Sequence, residues 1–313
     1  MSLKIRIGTR GSRMALIQAR HVEDEIKAAR PDIETEIVVI KTTGDWRPGQ
    51  GETRLNAIDG GKGLFAKEIE SALFADKIDI GVHSVKDMPS FLPEGLVMEH
   101  YIEREDSRDA FLSEKYESFN DLPAGATVGT SSVRRKAFLL LKRPDIKVVP
   151  LRGNVPTRIE KMRSGQVDAC ILSYAGLCRI GFEDKVKQVF QPHELVPACG
   201  QGTIGIEYKE GCAEVKEVLD QIHHAETGLL IEAERAVLQS LDGSCESPIG
   251  VHASRSSQDL FLVQCVVSRL DGSEFWHAKE GGRIETVAQA IELGGHVADL
   301  IKKDADPRIF EGD

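Results

Sequence analysis

Apolar positions along the chain fall into two alternating periods, and the alternation predicts an α/β architecture. "LKIRIGT" near the start has the every-second-residue pattern of a strand, and Arg13–Ala29 has the spacing of a helix with one apolar face. "TEIVVIKTT" reads as a second strand, "GLFAKEIESALFADK" as a second helix and "IDIGVHS" as a third strand. Arg30-Pro31 closes the first helix, because proline cannot continue it. Strands that alternate with helices imply a mainly parallel sheet.

The pattern then repeats. "ATVGTSSVRRKAFLLLKRPDIKVVPL" (126–151) parallels "IRIGTRGSRMALIQARHVEDEIKAARPDIETEIVVI" (5–40): strand, Gly-Thr, a serine, basic residues, helix, Arg-Pro-Asp-Ile, strand. "KIDIGVHS" (77–84) is echoed by "QVDACILS" (166–173), each a strand that ends in serine. Two matches in the same order predict two similar α/β lobes. The strand ends Thr9–Ser12 and Thr130–Ser132 are expected to face a cleft, because open α/β sheets bind ligands beyond the carboxyl ends of their strands. After residue 220 the texture changes to a long helix, "AETGLLIEAERAVLQSL", and the strands "PIGVHAS", "DLFLVQCVVSRL" and "SEFWHAK". The last two are joined by an Asp-Gly turn, and an amphipathic helix closes the chain at about Glu285–Lys303. This segment reads as a small α+β domain with a three-stranded antiparallel sheet.

Charge sharpens the picture. The 313 residues carry 40 basic and 50 acidic side chains, a net charge of −10. Such a surface repels nucleic acid and anionic membrane in bulk. No apolar run reaches membrane-span length, and "MSLKIRIGTRGS" lacks the apolar stretch of a secretory signal, so the expected location is the cytoplasm. The six cysteines show no Cys-x-x-Cys pairing, which argues against zinc, and an unexported chain argues against disulfides. Adjacent His223 and His224 point to different sides of any regular element, so no metal is expected.

Against this acidic background, residues 130–165 hold ten basic side chains opposed only by Asp145 and Glu160. Lys142, Arg143 and Lys161 read as a solvated helix face. Arg134, Arg135, Arg152 and Arg158 fall at strand ends or early helical turns, where they aim toward the cleft. The two-pronged guanidinium suits planar oxyanions, so the expected ligand carries several carboxylates or phosphates. Nucleic acid is the competing polyanion, but stacking aromatics are not interleaved here and make up only 5% of the chain.

Other signals are weaker. "GGKGLFAKE" (60–68) lacks the spacing of a nucleotide P-loop, and 42–63, with six glycines, reads as a mobile lid. "HSVKD" (83–87) sets Lys86 and Asp87 just past a strand end, either as catalytic groups or as an exposed pair on a turn. "LDGSCESPIG" (241–250) puts the thiol of Cys245 in a loop, where it is accessible and therefore either a liability or a reagent.

"GTRGS", "GGKGLF.KE", "HSVKD", "REDSRDAF", "GTSSVRR", "LRGNVPTR", "AGLCRIG", "GQGTIGIE" and "GSCESPIG" occur in one order. Together they resemble the porphobilinogen deaminases, also called hydroxymethylbilane synthases, from about residue 4 to the final helix. The resemblance implies a cytoplasmic transferase of porphyrin and haem biosynthesis that joins four porphobilinogen units head to tail, with loss of ammonia. It implies a dipyrromethane cofactor held through a thioether on Cys245. A thiolate suits that role as a soft nucleophile whose carbon–sulfur bond resists hydrolysis. Each unit brings an acetate and a propionate, which accounts for a basic cleft in an acidic protein.

Carried over by motif, the cofactor contacts are Ser84, Lys86, Thr130, Ser132, Arg134, Arg135 and Gly202. The substrate contacts are Arg10, Ser12, Lys62, Arg152, Arg158, Arg179 and Gln201. Asp87 is the implied catalytic carboxylate, stabilising the cations formed when ammonia leaves and when the rings couple. Some relatives carry a lysine four residues before Lys62, where this chain has Ile58, so Arg54 becomes the candidate for that contact. The implied fold has two lobes like those of solute-binding proteins: 1–102 with 203–220, and 103–202. The cofactor-bearing domain is 221–313, and the crossings fall near Ile102–Ser107 and Pro197–Gln201. The expected state is a monomer, with transient hand-off of product to the next tetrapyrrole enzyme.

Two rival readings come from other classes. A two-lobed anion-binding module explains the repeat and the arginines but not the loop thiol. A cysteine hydrolase needs a histidine base, and His252 stands in a predicted strand with no obvious orienting carboxylate.

Overall fold

The computed structural model describes residues 3–42, 66–241 and 248–306. Its elements begin with β1 (Lys4–Arg10), α1 (Arg13–Ala29), β2 (Glu34–Ile40), α2 (Lys67–Phe74), β3 (Ile80–Ser84) and β4 (Leu96–Tyr101). There follow β5 (Asp109–Leu112), β6 (Thr127–Gly129), α3 (Val133–Lys142), β7 (Lys147–Val149), α4 (Val155–Arg163), β8 (Ala169–Ser173), α5 (Tyr174–Arg179) and β9 (Gln188–Val189). The chain continues with β10 (Ile204–Lys209), α6 (Ala213–Asp220), α7 (Ala225–Ser240), β11 (Ile249–Arg255), β12 (Phe261–Ser268), β13 (Phe275–Gly282) and α8 (Val287–Asp304). The described residues fall into two units, one of 3–42, 66–105 and 202–228 and one of 106–201, 229–241 and 248–306.

The repeat folds twice into one topology. The first unit holds a five-stranded sheet in the order β2-β1-β3-β10-β4. The second holds its counterpart, β7-β6-β8-β5-β9. In each, the first three strands are parallel and the fourth, β10 or β5, runs against them. The matching sequence motifs do matching work. Asp79 Oδ2 accepts the Arg6 N–H at 2.7 Å, and Asp168 Oδ2 accepts the Thr127 N–H at 2.9 Å, so each aspartate pins the strand beside it. Arg30 forks onto Asp32 and Arg143 onto Asp145 at the two Arg-Pro-Asp turns that end α1 and α3. Ile33 and Ile146 then tuck into their cores.

Both faces of these sheets are covered, as their apolar strands require. In the first unit Ile5, Ile7, Ile80, Ile204 and Ile206 pack with Ala19, Val22 and Ile26 of α1. In the second, Phe111, Val128 and Ile171 meet Ala137, Phe138 and Leu139 of α3, while Leu112, Cys170 and Leu172 meet Ile159 and Met162 of α4. The second unit also contains the antiparallel sheet β11-β12-β13, packed on α7 and α8 through Val251, Val263, Cys265, Val237, Val297 and Ile301. Its Asp-Gly turn lies against α3. Gly272 has φ +73°, and a Cβ there would stand 2.6 Å from the Ala137 carbonyl oxygen.

Helix α1 spans the expected residues, but α2 is shorter than the stretch 63–77 that the pattern marks. Asp76 adopts φ +52°, and the Lys77 N–H bonds back to the Ala72 carbonyl at 2.9 Å, so the helix ends in a left-handed cap. Residues 63–65 lie outside the described residues. No described helix is long and apolar enough to cross a membrane.

One core site in the first unit carries acid. Glu70 on α2 is buried, and burial, reinforced by the Glu207 charge and opposed by His83 and Lys67, raises its carboxyl from 4.5 to about 7. A pKa raised on folding stabilises at low pH and loses that contribution as pH climbs through the folded value. Glu70→Gln should therefore melt above the parent at pH 8, with the gap closing toward pH 5. A gap independent of pH in thermal melts would contradict this reading.

Candidate functional site

In the first unit the site residues cluster where β3 ends. A single 3-10 turn, Val85–Asp87, follows Ser84 directly. Val85 is buried, and its N–H bonds the Thr203 carbonyl at 3.1 Å, clamping the turn to the strand start of β10. The clamp leaves Lys86 half-buried and Asp87 exposed. Ser84 Oγ accepts Gln18 Nε2 at 2.7 Å, which ties the strand end to α1. Behind the turn, buried His83 lies 3.0 Å from a carboxylate oxygen of buried Glu207. Arg10 closes β1 and is half-buried. Ser12 caps α1, its hydroxyl accepting the Ala15 N–H at 3.2 Å. Gly202, at φ +90°, accepts the Glu105 N–H through its carbonyl.

The second unit repeats the cap. Ser132 Oγ accepts the Arg135 N–H at 3.3 Å to start α3, and Thr130 Oγ1 accepts the Ser132 N–H at 3.2 Å. The two arginines that follow are buried against a counter-charge that the sequence pattern does not announce. Arg134 and Arg135 are 3% and 6% exposed, and both reach Asp109, which is 0% exposed. Arg134 Nη2 donates to Asp109 Oδ2 at 2.7 Å, and Arg135 Nε and Nη2 donate to Oδ1 at 3.0 and 2.7 Å. Burial would push the Asp109 carboxyl up, but the two guanidinium groups and the Gln201 amide hold it far below the ordinary range. Gln201 is equally buried and donates through Nε2 to Asp109 at 2.8 Å and to the Ser107 carbonyl at 2.7 Å.

Of the other arginines, Arg152 lies in the loop after β7, Arg158 in α4 and Arg179 at the end of α5. Arg152 is buried, and its carbonyl accepts Lys161 Nζ at 2.9 Å, so Lys161 belongs to this corner rather than to a solvated helix face. Arg158 is half-buried, with Nε donating to the Gly153 carbonyl at 2.7 Å. Half-buried Arg179 ends α5, which Ser173 caps at Gly176.

Cys245, Lys62, Arg54 and Ile58 lie outside the described residues, as does nearly all of the expected lid. Described are the two elements that flank the cysteine loop, α7 and β11. Glu234 of α7, fully buried, accepts the Ala253 N–H of β11 at 2.7 Å and the Gly200 N–H at 2.6 Å. Among the remaining cysteines, burial raises the thiols of Cys170, to about 12, and Cys265, which leaves them unreactive. Cys178 is exposed on α5. His252 Nε2 stands 3.0 Å from Ser107 Oγ.

Asp109 and Glu234 are the functional-site neighbours that pattern reading misses. The usable signal for Asp109 was an acid at the first position of a four-residue buried strand, "DAFL"; for Glu234 it was an acid in the apolar stripe of a long helix.

The first unit offers hydroxyl donors and one exposed carboxylate, and the second offers guanidinium and hydroxyl donors; each set is of a kind suited to an anionic substrate that develops positive charge. Residues 5–217 match the family described as "Porphobilinogen deaminase, dipyromethane cofactor binding domain", and 229–303 match "Porphobilinogen deaminase, C-terminal domain". A porphobilinogen deaminase of Syntrophobacter fumaroxidans is 42% identical over 98% of this chain and 97% of its own. One from Burkholderia ambifaria is 43% identical over 95% of this chain and 89% of its own. Among solved structures, the methionine-binding protein MetQ covers 72% of this chain and 91% of its own at 16% identity, with a TM-score of 0.45. With both family domains matched in order over almost the whole sequence, the chain belongs to the porphobilinogen deaminase family.

Proposed function

We propose that this chain carries out its family's condensation with Asp87 as the catalytic carboxylate and Cys245 as the anchor of the primer. The reaction joins four porphobilinogen molecules head to tail and ends in hydrolytic release of hydroxymethylbilane. At each coupling the carbon–nitrogen bond to the amine breaks and ammonia leaves. A carbon–carbon bond to a free pyrrole carbon forms, and that carbon loses its proton.

The residues present fit a dipyrromethane with carboxylate side chains. The observation that carries this is Arg134, whose Nε is buried and has no hydrogen-bond partner among the described residues. A spare guanidinium N–H in the interior is a donor waiting for an anion, since a buried polar group without a partner is costly. Ser84, Lys86, Thr130, Ser132, Arg134, Arg135 and Gly202 hold the cofactor. Arg10, Ser12, Lys62, Arg152, Arg158 and Arg179 receive substrate carboxylates, while Gln201, its amide N–H groups committed to Asp109 and the Ser107 carbonyl, braces the arginine pair. The bound dipyrromethane supplies the free pyrrole carbon from which the chain grows.

Asp87 acts on the substrate. Its position on a clamped turn fixes a negative charge without reorganisation, and such a charge stabilises the cation left when ammonia departs. The hydroxyls and guanidinium groups orient the acetate and propionate arms, so that reacting carbons meet in one geometry.

The three-part division into 1–102 with 203–220, 103–202 and 221–313 belongs to the same reading. So do a cytoplasmic monomer that hands product to the next tetrapyrrole enzyme, and the absence of metal, nucleic-acid and membrane partners. The net charge of −10 supports the absence of nucleic-acid and anionic-membrane partners.

Two outcomes test the proposal. Asp87→Asn should fold and carry primer yet lose at least ~10²-fold in turnover, as removal of one preorganised group does elsewhere; near-normal turnover takes Asp87 out of the mechanism. Cys245→Ser should express and fold, melting below the primer-loaded parent, but give no pink colour with an acid aldehyde reagent for pyrroles. A coloured serine variant moves the anchor elsewhere.

A further inference from the structure

Asp109 is the first residue of β5, and its carboxylate is enclosed by four described donors. Oδ1 accepts Arg135 Nε, Arg135 Nη2 and Gln201 Nε2, at 3.0, 2.7 and 2.8 Å, while Oδ2 accepts Arg134 Nη2 at 2.7 Å. Two backbone carbonyls complete the cage: Val196 O takes Arg134 Nη1 at 2.5 Å and Ile171 O takes Arg135 Nη1 at 3.2 Å. Gln201 Oε1 accepts Arg135 Nη2 at 3.2 Å.

The physics of this cage is unusual for a ligand site. Consecutive arginines in the first turn of α3 repel one another, and the helix start adds positive potential of its own. Burial works against the charge of Arg134 and so does neighbouring Arg135; Asp109 is what opposes them. With Asp109 ionised, the trio carries one net positive charge, enough to balance a single carboxylate. The bonds are also unequally divided. Arg135 gives Nε and Nη2 to Asp109, whereas Arg134 gives Nη2 alone and keeps its buried Nε without a partner among the described residues.

We propose that Asp109 is a positioning residue for primer loading: it neutralises one of two buried arginines and fixes the pair so that a single spare charge and N–H face one primer carboxylate. Asp109 itself touches neither substrate nor reacting atoms. The proposal rests on the reading of Cys245 as the primer anchor.

An amide at this position separates the two roles. Asparagine keeps the shape but offers one acceptor oxygen, sets an N–H₂ against a guanidinium, and raises the trio's charge. Glutamate keeps the charge and shifts it by one methylene.

The test compares full-length parent, Asp109→Asn and Asp109→Glu after incubation with porphobilinogen. Three readouts are taken: the melting curve, the primer-loaded fraction by denaturing mass spectrometry, and KM and kcat of the loaded fraction. Charged hydrogen bonds of this kind predict that Asp109→Asn loads at least ~10-fold less and raises KM by ~10-fold, with kcat within ~3-fold of the parent. Asp109→Glu should recover part of the loading with an intermediate KM. An Asp109→Asn protein that loads fully with parental KM overturns the proposal, even if it melts lower, because that is the signature of a merely structural acid. Should Asp109→Asn yield no folded protein, Asp109→Ser, which also removes the charge, decides, and parental loading and KM in that variant overturn the proposal equally. A parent that carries no primer at all instead overturns the anchor reading, and the two failures remain distinct.

Discussion

Two arginines can stand side by side in the interior of the second unit only because Asp109 stands between them. Removing one partner from such a buried ion group generally costs about 3–5 kcal/mol, since the remaining charge is left uncompensated in low dielectric. That constraint reaches outward. It fixes the first turn of α3, whose cap is Ser132; it engages Gln201 at the end of the run 198–201; and it holds the start of β5. Glu234 pins the same run from the other side, through the Gly200 N–H, and ties it to β11. Two buried carboxylates thus attach one short stretch of backbone both to the arginine pair and to the elements that flank the cysteine loop.

The duplicated topology explains why so much of the fold was legible. Asp79 and Asp168 each satisfy a backbone N–H of the neighbouring strand, and the two Arg-Pro-Asp turns end their helices with the same fork. These are local devices, written in residues close together in sequence, so a repeat of letters becomes a repeat of structure. The strand that runs against its neighbours was harder to see. β10 joins the first sheet from beyond the whole second lobe, while β5 opens the second sheet, and no local pattern announces either partner.

The site was legible by the same logic and missed by it in the same places. The serine caps, Asp87 on its turn and Arg152 in the loop after β7 follow from strand-end positions in an α/β fold. The burial of Arg134 and Arg135 against Asp109 was not legible, because helical position says nothing of a counter-charge 25 residues upstream. The burial of Gln201, the tie between Lys161 and Arg152, and the acid pair Glu70 and Glu207 are likewise products of tertiary contact. A polar residue in a buried strand is the trace such groups leave, and it marks the position without naming the partner.

At the centre of the proposed chemistry is a two-ring primer bonded to the sulfur of Cys245. The most direct measurement is the intact mass of freshly purified, active protein under denaturing conditions, followed by peptide mapping. The mass should exceed that of the 34.4 kDa polypeptide by one dipyrromethane, retained through denaturation and located on the peptide that contains Cys245. Active protein at its bare translated mass would contradict it.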